Sequence, residues 1–204
     1  METIGNSVKV LVFDLGNVLL PFDWERSIRA LHEYGYNVPR ALEKVIDAGV
    51  MVPYEKGEVT TAEFYQRVIE ALGVEISLSD FKRLFSDIFT TNDEVIGLLP
   101  RLRERYRLFL LSNTCEMHIQ WIEEHFPVLE EFDELILSFE VGHVKPEREI
   151  FNNVLKRSAL PANEHLYIDD IKEYTTAAAG MGLEVHHFQS PAGFLKELET
   201  RGII

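Results

Sequence analysis

Asp14, Ser112, Asn113, Lys145, Asp169 and Asp170 are the side chains of this sequence whose types and settings fit joint chemistry. Three short apolar runs end on them: Val8-Lys-Val-Leu-Val-Phe stops at Asp14, Tyr106 to Leu111 stops at Ser112-Asn113, and His165 to Ile168 stops at Asp169-Asp170. If the three ends meet, three carboxylates share one place, and leaving them unpaired costs several kcal/mol. A hard cation with oxygen ligands, Mg²⁺ by preference, resolves that repulsion and creates an anion site at once. Lys145, held just before Pro146, supplies a second positive charge. A carboxylate masked in this way can attack phosphorus in a dianionic ester.

The elements that must position these residues are short strands of a parallel sheet. Apolar, β-branched runs at Val8 to Phe13, Tyr106 to Leu111, Glu134 to Leu137, His165 to Ile168 and Glu184 to Phe188 predict five strands. Helical patterns at Glu116 to His125, Glu147 to Arg157 and Tyr174 to Met181 alternate with the later strands, which predicts an α/β fold: a Rossmann-like parallel sheet with helices on both faces. Ligands of such sheets bind outside the carboxyl ends of the strands, and the three polar ends converge if the first strand lies between the second and fourth.

The stretch from Phe22 to Asp93 breaks this rhythm. It reads as consecutive amphipathic helices, at Trp24 to Tyr34, Arg40 to Ala48, Thr61 to Leu72 and Ser79 to Phe89, punctuated by Gly35, Gly49, Gly57 and Gly73. Thr60 or Thr61 is placed to cap the third and Ser79 the fourth. An ordinary crossover needs far less chain. The expected organisation is therefore a catalytic α/β core of residues 1–20 and 95–204 with an all-helical cap, residues 21–94, inserted after the first strand.

Composition narrows the function classes. The chain carries 20 Lys+Arg against 34 Asp+Glu, a net charge of −14, so a nucleic-acid or anionic-membrane surface is not expected. The strongest apolar stretches, Val10 to Phe13 and Leu108 to Leu111, fall far short of the ~18 residues that span a bilayer. The single cysteine, Cys115, cannot form an intramolecular disulfide, and Met1 to Ser7 shows no leader pattern, so a cytoplasmic protein is expected. Cys115 reads as a small buried apolar side chain, and the seven histidines have no zinc spacing. Trp24, Tyr54, Phe64 and Tyr65 read as the core of the helical insertion, and Glu55-Lys56-Gly57 as a turn between its helices that faces the site.

Four motifs in order, Phe13-Asp-Leu-Gly-Asn-Val-Leu, Leu111-Ser-Asn-Thr, Gly142-His-Val-Lys-Pro-Glu and Tyr167-Ile-Asp-Asp, resemble those of the haloacid dehalogenase-like hydrolase superfamily. The match runs from about residue 8 to 188, helical cap included. The resemblance implies that Asp14 is a nucleophile forming an aspartyl-phosphate, that Ser112 and Asn113 hold the transferring phosphoryl oxygens, and that Lys145 fixes both. It also implies a Mg²⁺ bound by Asp14, the Gly16 carbonyl and Asp170, with Asp169 in or just behind the coordination shell. The expected activity is Mg²⁺-dependent hydrolysis of a small phosphorylated metabolite.

Two positions depart from the superfamily pattern. Most of its phosphatases carry a second aspartate two residues after the nucleophile, as acid to the leaving alcohol and then base to water; here that position is Gly16. A missing acid/base forfeits ~10²–10⁴ in rate. Asp23 and Glu25 are the candidate replacements. The Asp-Leu-Gly-Asn form is similar to a subgroup that includes bacterial phosphatases of glucose-1-phosphate type, whose anomeric oxygen leaves more readily, so a sugar phosphate is one expected substrate. Tyr174 stands where an asparagine commonly steadies the aspartate pair.

Other readings of the same residues exist. Asp14-Leu-Gly-Asn alone is a strand-ending turn, Ser112-Asn113 and Asp169-Asp170 alone are helix caps, and Lys145 alone is a surface lysine. A dehalogenase on the same scaffold suits Gly16, because a halide leaves without an acid, but that chemistry leaves Asp169-Asp170 without a cation. A non-catalytic ligand-binding homologue is the third reading.

Overall fold

The computed structural model describes residues 7–204, so the expectation for Met1 to Ser7 falls, but for Ser7, outside the described residues. The chain begins with β1 (Val10–Phe13) and then runs through α1 (Trp24–Glu33), α2 (Ala41–Asp47), α3 (Met51–Glu55), α4 (Thr61–Leu72) and α5 (Leu78–Ser86). Two short helices, α6 (Asp93–Ile96) and α7 (Leu99–Arg103), lead into β2 (Arg107–Ser112) and α8 (Glu116–His125). After them come β3 (Glu134–Leu137), α9 (Ser138–Val141), α10 (Arg148–Ser158), β4 (His165–Asp169), α11 (Lys172–Ala179), β5 (Glu184–His187) and α12 (Pro191–Thr200).

All strand pairs are parallel and the order is β3-β2-β1-β4-β5, so β1 is central, as the convergence of the polar ends requires. Every residue of β1 is buried, which is why the strand reads as a continuous apolar run rather than an alternating one. The two-residue period divides the core instead. Leu11, Phe13, Leu108, Leu110, Leu166 and Ile168 face one apolar cluster with side chains of α7, α8 and α12. Val10, Val12, Phe109, Leu111 and Tyr167 face another with α10 and α11.

Helices α1 to α5 have a core of their own, built on Leu31, Tyr54, Phe64, Val68, Phe81 and Phe85 and reaching Cys115 and Met117 at the start of α8. Tyr54 stacks on Phe64 with ring centroids 4.3 Å apart, and Phe85 on His118 at 4.5 Å. Thr60, not Thr61, caps α4 through a reciprocal box with Glu63, an arrangement typically worth about 1 kcal/mol. Ser77 rather than Ser79 caps α5, because its hydroxyl reaches the Asp80 N–H. Of α1 to α5, the sequence pattern does not reveal α3, which is five residues long and contains Pro53. The chain leaves and re-enters the sheet through adjacent segments, with Asp23 N–H donating to Ile88 O at 3.0 Å and Thr90 N–H to Pro21 O at 2.8 Å. Among the described residues no helix is long and apolar enough to cross a membrane.

Candidate functional site

Asp14 follows β1 without a break, its N–H donating to Ile168 O at 2.9 Å in continuation of the β1–β4 pairing. Its Oδ1 accepts the Leu15 N–H at 2.7 Å and the Lys145 ammonium at 2.8 Å. The same ammonium donates to Asp169 Oδ2 at 2.7 Å. Lys145 is therefore a buried bridge between the ends of β1 and β4, and Tyr174 lays its ring 5.0 Å from the Nζ.

Asp169 is steadied by two donors that the motif does not announce. Tyr167, two residues earlier and so on the same face of β4, donates its hydroxyl to Oδ2, and the Ile171 N–H donates to Oδ1 at 2.7 Å. Asn17 Nδ2 donates to Asp170 Oδ2 at 3.1 Å, and His187 Nε2 to the Asp170 carbonyl at 2.9 Å. These contacts answer the question raised by Tyr174: the pair is held by Tyr167, Asn17 and backbone, while Tyr174 turns its hydroxyl toward Asn113 Nδ2 at 3.5 Å.

The Asn113 side chain clamps the backbone of Lys145. Its Oδ1 accepts the Lys145 N–H at 2.7 Å and its Nδ2 donates to the Lys145 carbonyl at 3.1 Å, next to the cis Lys145–Pro146 bond. The amide is thus committed to placing the lysine. Ser112 is buried beside it, and Ser138 fastens the turn that follows, accepting from Thr114 N–H and donating to Thr114 O, both at 2.9 Å.

Burial pushes the Asp14 carboxyl up to about 7, with Lys145 opposing and Asp169 adding to the rise. Burial would lower Lys145, but Asp14 and Asp169 outweigh it and hold the ammonium above its ordinary range. Asp170 is raised by burial against the Asn17 hydrogen bond, with Asp169 contributing. One ammonium thus faces three carboxylates. An oxygen from each of Asp14, Asp169 and Asp170 lies within 4.8 Å of the other two, an all-oxygen set that fits a Mg²⁺ ion.

A cavity of about 350 Å³ lies beside this cluster, reached through Leu15 and Gly16, which follow Asp14 in the chain. Gly16, Ser112, Asn113 and Thr114 line its floor and Glu55, at the end of α3, part of its wall; farther out, Trp24, Val45, Val68 and Phe85 of the insertion make it apolar. Asp23 and Glu25 are not among the lining residues. Asp23 caps α1, accepting the Glu25 N–H at 2.9 Å and pairing with Arg29 at 3.2 Å, and both acids are exposed, so the structure does not bring either expected replacement acid to the site. Sequence reading placed Glu55 in a turn facing the site without giving it a role.

Comparison with known proteins agrees with this arrangement. The haloacid dehalogenase-like hydrolase family matches residues 52–187. A D-ribitol-5-phosphate phosphatase of Bacteroides thetaiotaomicron is 27% identical, over 94% of this chain and 97% of its own length. A phosphorylated carbohydrates phosphatase of Thermotoga maritima is 25% identical, over 87% and 83%. A solved HAD-family enzyme of Bacteroides thetaiotaomicron, in complex with magnesium and inorganic phosphate, superposes with a TM-score of 0.82 at 31% identity, covering 89% of this chain and 94% of that one. The extent of these matches, over a sheet whose central strand ends at a buried aspartate, shows that the chain belongs to the haloacid dehalogenase-like hydrolase family.

Proposed function

We propose that this hydrolase is a Mg²⁺-dependent phosphomonoesterase of a small phosphorylated metabolite, with Asp14 as nucleophile and residues 21–94 as a cap over the reacting group. The observation that carries the reading is the buried Asp14–Lys145–Asp169 bridge beside the cavity. Asp14 attacks phosphorus, the bond to the alcohol oxygen breaks, and water then releases phosphate from the aspartyl ester. Lys145 lowers the repulsion between the carboxylate and the incoming dianion. Ser112 supplies a hydroxyl to a phosphoryl oxygen, and Asn113 acts by fixing Lys145. Asp14, Asp170, the Gly16 carbonyl and Asp169 would hold the Mg²⁺, whose chemistry is to neutralise charge on the phosphoryl oxygens.

Relatives that act on ribitol phosphate and on phosphorylated carbohydrates support a sugar or polyol phosphate. The apolar outer wall favours a second reading, a phosphate ester whose alcohol is itself partly apolar. A dehalogenase reading keeps Asp14 as nucleophile but leaves Asp169 and Asp170 without a cation. The test is hydrolysis of a panel of sugar, polyol and alkyl phosphates together with 4-nitrophenyl phosphate, with and without Mg²⁺. Asp14→Asn is expected to abolish turnover of every ester, and activity retained in that variant overturns the assignment; turnover of 2-haloacids instead of phosphates establishes the dehalogenase.

A further inference from the structure

The carboxyl of Glu55 is half-buried in the wall of the cavity whose floor contains Gly16, Ser112 and Asn113, and among the described residues it makes no hydrogen bond or ion pair. Its turn is fastened to the sheet side of the cavity. Lys56 pairs with Glu147 at 2.5 Å, two residues beyond Lys145, and Gly57 packs so tightly on Phe139 that a Cβ there would lie 2.3 Å from the Phe139 carbonyl oxygen. A free carboxyl on a braced turn, in the wall of the cavity that Gly16 and Ser112 also line and close enough to Lys145 to sense its charge, has the placement a proton donor needs.

We propose that Glu55 is the acid and base of this active site, taking the part that Gly16 cannot. This rests on the phosphomonoesterase reading. In the first step the phosphorus–oxygen bond to the alcohol breaks as the Asp14–phosphorus bond forms, and the Glu55 proton goes to the departing oxygen. In the second, water adds to phosphorus, its proton goes to the Glu55 carboxylate, and the bond to Asp14 breaks with its electron pair returning to the carboxylate. The enzyme is regenerated with Glu55 protonated.

Burial holds the Glu55 carboxyl up to about 7, with Lys145 opposing, so both protonation states are accessible near neutrality. Lys145, Tyr174 and Cys115 are the titratable groups that interact with it electrostatically. His118, the other titratable side chain of the cavity wall, is held down to about 4 by burial, so it carries no proton to give.

The experiment compares Glu55→Gln with wild type on hexyl phosphate, whose alkoxide needs a proton to leave, and on 4-nitrophenyl phosphate, whose phenolate does not. The expected result is a ~10²–10⁴-fold loss of kcat/KM for hexyl phosphate against less than about tenfold for the nitrophenyl ester. A rapid burst of nitrophenolate should precede slow turnover, because water still needs its base. Equal losses on both esters, or none on hexyl phosphate, overturn the proposal. A wild-type protein inactive on these esters and on the sugar and polyol phosphates of the panel sinks the phosphomonoesterase reading itself, and the role of Glu55 with it.

Discussion

A lysine buried between two aspartates is unfavourable for each group alone and favourable for the three together. Charges taken out of water are tolerated only when hydrogen-bonded and paired, and Lys145, Asp14 and Asp169 meet that condition through contacts of 2.7–2.8 Å. His118 shows the opposite solution. It is stacked on Phe85, hydrogen-bonded to the Phe85 carbonyl, and kept neutral by burial, which lowers it from 6.5 to about 4. The unfolded chain takes up its proton below pH 6.5 and the folded chain only near 4. Stability from this residue is therefore complete above pH 6.5 and declines as pH falls to about 4, by about 3 kcal/mol. Urea denaturation across that range should show the loss, and His118→Gln should flatten it; an unchanged slope would exclude His118 as its source.

At the scale of elements, the turn after α3 is where the helical insertion touches the chemistry. Gly57 adopts φ +68° and has the Phe139 carbonyl against it, whereas Gly73, which ends α4 at φ +67°, has nothing within 4 Å of its missing Cβ. Both positions disfavour a side chain on backbone grounds, at about 1 kcal/mol or more. Only the first also has a steric constraint that moves a functional residue. Gly57→Ala is expected to lower stability by about 1–3 kcal/mol and to cut turnover of an alkyl phosphate, because the turn carrying Glu55 must shift. Gly73→Ala should lose stability alone. Thermal melts with kcat for both variants check this, and a full kcat in Gly57→Ala would show that the turn's position is immaterial.

For the whole molecule, a net charge of −14 opposes the approach of a phosphorylated compound, yet the charge that matters is local. One buried ammonium and a carboxylate cluster suited to Mg²⁺ adjoin a largely apolar cavity lined by Gly16, Ser112 and Asn113. The cluster is unfavourable without a cation, so an ion that binds only the folded chain stabilises it. At a hundredfold excess over Kd, Mg²⁺ should add about 2.7 kcal/mol, which for a chain of this size raises Tm by about 5–10 °C. Asp170→Asn should remove most of that shift. A Tm indifferent to Mg²⁺ would argue against the site.

The sheet and its polar strand ends were legible in the residues because parallel strands buried on both faces appear as unbroken apolar runs, and each run stops where a functional residue begins. Asp14, Ser112, Asp169 and Asp170 stand at those strand ends, Lys145 stood out only by its Lys-Pro-Glu setting, and helices α4 and α8 had clear periodic patterns. The sequence determined which residues stand at the strand ends. Tertiary structure alone decided which distant side chains meet them. Asp23 looked available nine positions after Asp14, but a helix N-terminus and Arg29 engage it. The Asn113 amide clamps the backbone of Lys145, a contact that its place after β2 does not announce. Glu55 lies on a five-residue helix with no pattern of its own, and its place in the cavity wall follows from Gly57 on Phe139 and Lys56 on Glu147. Those contacts join residues more than eighty positions apart, and no local periodicity encodes a pairing of that range.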